Sequence, residues 1–267
     1  MQFLTSRSRG ILLVALFFSL CHGASAGVMF ISGDINIAHP IDGSQNATVT
    51  PGNTKLFENI LGTSRNVLIS DESLRRPGAL AAVNAINTLY DNMPGITSSI
   101  DTSQPLVNDT LLTGVDLFIA FLPSNGFQQS EVDALRTFLQ LDGTVFIIAD
   151  IGGALAVERN IQTNDALERL GSSLRLDNVP LDSGFTLTTN IDADPFTDGI
   201  SSIQYAYVTS ISGGTSLIRT GGGATFVAYE RITAATVPEP ASLATWACFT
   251  VPSVIGFRRR RHSSTAA

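Results

Sequence analysis

Val115-Asp116-Leu117-Phe118-Ile119-Ala120-Phe121, running into Leu122-Pro123, decides the fold. An unbroken apolar run stopped by proline reads as a strand buried on both faces, because a strand with one wet face would alternate. Downstream, Ser130-Glu131 opens a helix, with the hydroxyl placed to cap its free amides. Val132, Leu135, Phe138 and Leu139 then recur along one helical stripe, and Gly143 ends it. Residues 144–149 (Thr-Val-Phe-Ile-Ile-Ala) form a second continuously apolar strand. Two such strands joined by an amphipathic helix predict a parallel pair covered on both faces.

The same alternation extends toward the N-terminus. Val28-Met29-Phe30-Ile31 is a strand that leaves the core at Ser32-Gly33-Asp34. Residues 35–51 read as loop. Asn53 or Thr54 caps a helix that buries Leu56, Phe57, Ile60 and Leu61 and stops at Gly62. Asn66-Val67-Leu68-Ile69-Ser70 is a buried strand, and residues 77–90 have helical spacing through Leu80, Val83, Ile86 and Leu89. On the other side, residues 165–170 make a helix closed by Gly171. From Phe185 the period changes: residues 186–189, 203–208, 216–219 and 225–229 read as strands. Gly213-Gly214 and Gly221-Gly222-Gly223 read as hairpin turns and not phosphate loops, since no helix follows either. The expected fold is α/β: a mainly parallel, doubly wound sheet with helices on both faces and a β-rich C-terminal part.

Both ends read as addresses. Arg7 and Arg9 precede an apolar run over 11–20, and Ala24-Ser25-Ala26 supplies small residues for cleavage. That is a secretory signal peptide over 1–26, with the mature chain starting near Gly27. Leu20-Cys21-His22 lacks the small residues that precede a lipidated cysteine. At the other end, Val237-Pro238-Glu239-Pro240-Ala241-Ser242 leads into an apolar stretch, and residues 241–257 carry no charge. That stretch is at the lower limit of length for a membrane span. Arg258, Arg259, Arg260 and Arg261 follow, and such a basic cluster stays on the cytoplasmic side. The plain reading is a C-terminal anchor. Motif, apolar segment and arginine cluster together, over 237–267, resemble the PEP-CTERM sorting signal, read by an exosortase-type transpeptidase in Gram-negative bacteria that export matrix polysaccharide. The resemblance implies export, transient anchoring through the C-terminal segment, and release to the cell surface or extracellular space. It also implies signal peptidase and an exosortase-type enzyme as processing partners, with exopolysaccharide as a further partner.

Residues 27–236 remain as one domain of ordinary size. Setting aside the six arginines and Glu239 of the ends leaves ten basic and 22 acidic residues, a body near −12 against −7 for the whole chain. Such a surface disfavours nucleic acid and anionic lipid. Both cysteines, Cys21 and Cys248, lie in the address segments, and of three histidines only His39 belongs to the body. Disulfides, thiol nucleophiles and cysteine metal ligands are thereby excluded from the body. No cofactor motif and no internal repeat is present.

Residues 112–153, a strand ending in proline, a Ser-Glu-x-x-Ala-Leu helix and a strand ending Ile-Ala-Asp-Ile-Gly-Gly, resemble the core of class I glutamine-amidotransferase-like domains. ThuA-like and intraflagellar-transport-type domains are non-catalytic relatives that share it. Asn164-Asp165-Ala166-Leu167-Glu168-Arg169-Leu170-Gly171 is similar to a helix that follows this core, and residues 194–200 (Asp-Pro-Phe-Thr-Asp-Gly-Ile) resemble a turn that opens with His-Pro in relatives. The resemblance implies an amidotransferase-like fold. It does not carry over the catalytic triad: the body has no cysteine, His39 precedes the core, and Asp194 stands where relatives often have histidine.

The chemistry-bearing candidates are therefore carboxylates. Asp34, Asp71 and Asp150, with Asp116 beside them, are placed at strand ends, and doubly wound sheets bind ligands outside the carboxyl ends of their strands. The plainer reading is that they end strands and cap helices. Asp192, Asp194 and Asp198 have oxygen chemistry suited to calcium, though Asp194-Pro195 and Asp198-Gly199 are equally good turn pairs. Ser70 and Ser124 would need a general base, and His39 is the sole candidate. The reading is an exported domain without catalysis, binding or structural in the envelope or polysaccharide matrix. Its rival is a carbohydrate-active or other hydrolase using Asp34, Asp71 or Asp150.

Overall fold

The computed structural model describes residues 26–38, 49–71, 77–101, 107–123, 126–152, 155–182 and 184–233. Residues 1–25 of the signal peptide, His39, Ser124 and the whole sorting segment lie outside them. Seven strands make the central sheet: β1 (Ala26–Ser32), β2 (Asn66–Asp71), β3 (Thr97–Asp101), β4 (Leu117–Phe121), β5 (Thr144–Ile148), β10 (Thr215–Arg219) and β11 (Thr225–Thr233). Their order is β10-β11-β1-β5-β4-β2-β3. The β1, β5, β4, β2 and β3 strands are parallel, while β11 and β10 add an antiparallel edge. Two small antiparallel ribbons complete the C-terminal part: β6 (Arg175–Pro180) with β9 (Thr209–Ser212), and β7 (Thr186–Thr188) with β8 (Ile203–Tyr205).

Four helices cover the sheet among the described residues: α1 (Pro51–Leu61), α2 (Pro77–Asp91), α3 (Gln129–Gln140) and α4 (Ala156–Arg169). Strand alternation sorts the core into two layers. Phe30, Ile69, Ile119 and Phe146 face α1, α2 and the β7–β8 ribbon. Met29, Ile31, Leu68, Phe118 and Ile147 face α3, α4 and the β6–β9 ribbon. The sheet is thus mostly parallel and covered on both faces, as the continuously apolar strands require.

Local signals account for most helix ends. Thr50 caps α1, accepting a hydrogen bond from the Asn53 amide, and Gly62 (φ 53°) terminates it. Asn53, expected as the cap, lies inside the helix three residues past Thr50. At α3 the cap is not Ser130: buried Glu131 takes the Gln128 amide on one oxygen and the Val107 amide on the other, both at 2.8 Å. Along α2 the buried stripe runs through Ala82, Val83, Ile86 and Tyr90, and Leu80 is exposed. The α4 helix begins nine residues before the predicted 165, because its first turns are polar and carry no apolar stripe. The sequence does not announce β3, β6 or β9, and the strand expected over 203–208 ends at Tyr205; β3 is a polar edge strand, Thr-Ser-Ser-Ile-Asp. Gly221-Gly222-Gly223 does turn the β10–β11 hairpin, but Gly213-Gly214 links strands of different sheets. Among the described residues no helix is long and apolar enough to cross a membrane.

Candidate functional site at the carboxyl edge of the sheet

The connections leaving β1 and β5 go to opposite faces of the sheet, β1 toward α1 and β5 toward α4. Neighbouring strands whose chains part in this way open a crevice at their carboxyl ends, the usual ligand position in such sheets. Ser32 pairs with Ile148 in the parallel register, so Asp34 and Asp150 each stand two residues beyond a paired strand end. Both are buried, Asp34 completely and Asp150 at 8 % exposure.

Each carboxylate is already engaged. Asp34 Oδ1 accepts from the Asn36 amide (2.7 Å) and the Asn36 side chain (2.8 Å), and Oδ2 accepts from the Ala206 amide (2.9 Å). The Asn36 side chain also donates to the Ala206 carbonyl at 2.8 Å. Asp150 Oδ1 accepts from the amides of Ile151 (2.8 Å) and Gly152 (3.1 Å), and its carbonyl takes the side chain of buried Asn160. Burial pushes the Asp34 carboxyl up to about 8 and the neighbouring Asp150 adds to the rise, against the pull of the Ala206 and Asn36 donors.

The β1 side of the crevice is covered by the protein's own chain. Residues 205–209 form a strap that passes from the β8 ribbon on one face to the β9 strand on the other, over the end of β1. It is tied there by Asp34 and Asn36 to Ala206 and by the Thr209 amide to the Gly33 carbonyl at 3.0 Å. Gly33 makes the close approach possible: a Cβ there would overlap the Thr209 carbonyl oxygen and lie 3.0 Å from the Thr209 methyl. Gly33→Ala is therefore expected to lower stability by about 1–3 kcal/mol, the usual cost of overpacking. A thermal midpoint equal to wild type would show that the strap sits more loosely than described. Beside the strap, Leu122, Pro123, Ala149, Asp150, Asn160 and Thr163 enclose only about 10 Å³, room for about one water.

At the sharp turn after central strand β4 stands Leu122, buried, with φ of 47°. Left-handed backbone on a branched residue is strained, and such positions cluster at functional sites. Here the position carries an apolar side chain with no nucleophile.

The other sequence candidates do not join this site. Asp71 ends β2, which β4 separates from β5; its side chain lies outside the described residues. Asp116 is at the amino end of β4, not the carboxyl end, and accepts the Arg65 and Asn66 amides at 2.8 and 2.9 Å. The calcium candidates diverge. Asp192 pairs with Arg219 at 2.9 Å, while Asp194 caps the turn at Pro195–Thr197 and accepts from the Tyr229 hydroxyl at 3.0 Å. The Asp198 backbone carbonyl takes the Asn59 side chain at 2.9 Å. Among the described residues no three potential metal-ligating side chains come together. Sequence reasoning missed Ala206 and the bonds by which the buried Asn53 side chain holds the Ile37 carbonyl and the Gln204 main chain. Asp34-Ile35-Asn36 carries a local turn signal, but nothing local in residues 203–208 announces that they cross the sheet edge.

No protein family matches the chain, and no curated protein matches it. Among solved structures it is similar to one described as the mmIFT52 N-terminal domain, with 15 % identity over 58 % of this chain and 78 % of that chain, at a TM-score of 0.40. A likeness of that size says nothing about function.

Proposed function

We propose that the chain is an exported domain that acts by binding, without catalysis, at the cell surface or in the extracellular polysaccharide matrix. Its support on the export side is the paired address segments. In the fold, β1 begins and β11 ends side by side, with Ala26 opposite Thr233. The two ends of the described domain thus lie at one edge of the sheet, opposite the strap.

The observation that carries the non-catalytic reading is the strap over the end of β1 together with the burial of both carboxylates. General acid and base groups must reach a bound substrate, whereas Asp34 accepts from the protein's own amides on both oxygens beneath the strap, and buried Asp150 accepts from two amides on Oδ1. The body has neither cysteine nor any histidine besides His39. The purified protein is expected to turn over no glutamine, ester or glycoside substrate, and His39→Ala to change nothing.

One observation favours the hydrolase reading: two neighbouring buried carboxyls, one raised to about 8, is the pattern of an acid–base pair. Glycoside turnover abolished by Asp34→Asn or Asp150→Asn would establish that rival and overturn the proposal.

A further inference from the structure

We propose that the open cleft beneath the amino end of β4 is a saccharide site selective for amine-bearing sugars, a step that rests on the reading of the chain as a polysaccharide-binding protein. The cleft encloses about 730 Å³, within the range of about 300–1,000 Å³ typical of small-ligand sites. It lies at the edge of the sheet opposite the strap, between the turn that precedes β4 and the turn that joins α3 to β5.

Its lining sets the chemistry. Thr63, Ser64 and Thr144 bring hydroxyl groups, and Asp109 and Asp142 bring carboxylates, while the Thr113 and Thr137 hydroxyls donate to the Asp109 and Asp133 carbonyls and Asp116 Oδ2 accepts the Arg65 and Asn66 amides. Neither lysine, arginine nor histidine is among the described residues that line it, and the cation beside it, Arg65, donates to the Ser64 carbonyl at 2.8 Å. Hydroxyls and carboxylates are the partners of a polyhydroxylated ligand, and their net negative field rejects phosphates and uronates while attracting ammonium groups. Leu141, 76 % exposed on the rim, offers an apolar surface to the C–H face of a ring.

The walls are built before any ligand arrives. The Leu112 amide donates to the Asn108 carbonyl (3.1 Å) and the Val115 amide to the Leu112 carbonyl (3.1 Å), which shapes one wall. Opposite it, the Asp142 amide donates to the Leu139 carbonyl (3.2 Å) and the Gly143 amide to the Phe138 carbonyl (3.0 Å). The Thr144 amide closes the floor on the Asp116 carbonyl at 3.0 Å. Walls held in this way lose little entropy on binding.

The test titrates the full chain, solubilised in mild detergent, with three oligosaccharide probes: glucosamine, N-acetylglucosamine and uronate oligomers. The glucosamine oligomer is expected to bind most tightly, with affinity falling as salt rises, and the uronate oligomer not to bind. Asp109→Asn with Asp142→Asn should weaken the glucosamine oligomer about tenfold, as loss of charge complementarity does. Asparagine tolerates the left-handed backbone of Asp142 (φ 70°), so the unfolding midpoint should hold. Leu141→Ala, at an exposed position, is a second variant and should weaken all binding while leaving the fold intact. Glucosamine-oligomer affinity unchanged in both variants would sink the cleft but leave the polysaccharide-binding reading standing. Tighter binding of uronate, or no binding of any probe, would overturn the site, and the latter would count against the function as well.

Discussion

Asn53→Ala is expected to cost about 3–6 kcal/mol, a large part of the roughly 5–15 kcal/mol that a domain of this size has to spare. Asn53 is 1 % exposed and uses its whole amide. Its nitrogen donates to the carbonyls of Ile37 (2.9 Å) and Gln204 (2.8 Å), and its oxygen accepts from the Gln204 amide (2.9 Å) and the Thr50 hydroxyl (2.8 Å). Alanine leaves three main-chain groups unpaired in or near the core, each at about 1–3 kcal/mol. Asn53→Asp should be at least as damaging, because it turns a carboxylate oxygen toward two carbonyls. Urea unfolding monitored by circular dichroism measures both, and a loss below about 1 kcal/mol for the alanine variant would show that water replaces these bonds.

Stability should fall as pH rises from about 4 to about 8, and Asp34 should be the cause. Its native carboxyl is raised to about 8 by burial, with help from Asp150, while in the unfolded chain it titrates near the ordinary value of about 3.9. Between those limits the native state binds the extra proton. The stabilisation is therefore fully present below the unfolded value, is lost progressively through the window, and is gone above the native value. Its span is on the order of 5 kcal/mol. The charged or titratable groups that face Asp34 are Asp150 from the end of β5 and Tyr205 from β8. Tyr205 stays neutral throughout, since burial raises it further above its ordinary range. Unfolding midpoints measured from pH 4.5 to 8.5 should show the decline, and Asp34→Asn should flatten it. A wild-type profile that rises across this window would mean that the three donors hold Asp34 ionised in the folded state.

These two residues also mark where sequence reasoning stopped. The Asp34-Ile35-Asn36 turn was visible as a polar end to a strand, and Asp150 as the end of another. That Asp34 and Asp150 are neighbours follows only from strand order, because β1 pairs with β5 and not with the strand next in sequence. Asn53 looked like a cap because asparagine favours that place. Its role in fastening residue 204, which lies 151 positions away, had no local signal. Helical spacing places Leu80 in the core, yet the α2 stripe that meets the sheet is rotated toward Ala82 and Tyr90.

The sequence alone determined the α/β class, the parallel core and the two-sided covering, since unbroken apolar strands can be satisfied only between two helical layers. It also determined the absence of thiol chemistry from the body, because that depends on composition and not on geometry. The tertiary structure decided that a strap crosses the carboxyl end of β1 and that the open cleft lies at the opposite edge. The physical reason is that strand periodicity and apolar spacing report which side of an element is buried. Strand order and the path of the chain between sheets depend instead on contacts between residues far apart in sequence, such as Asp34 with Ala206.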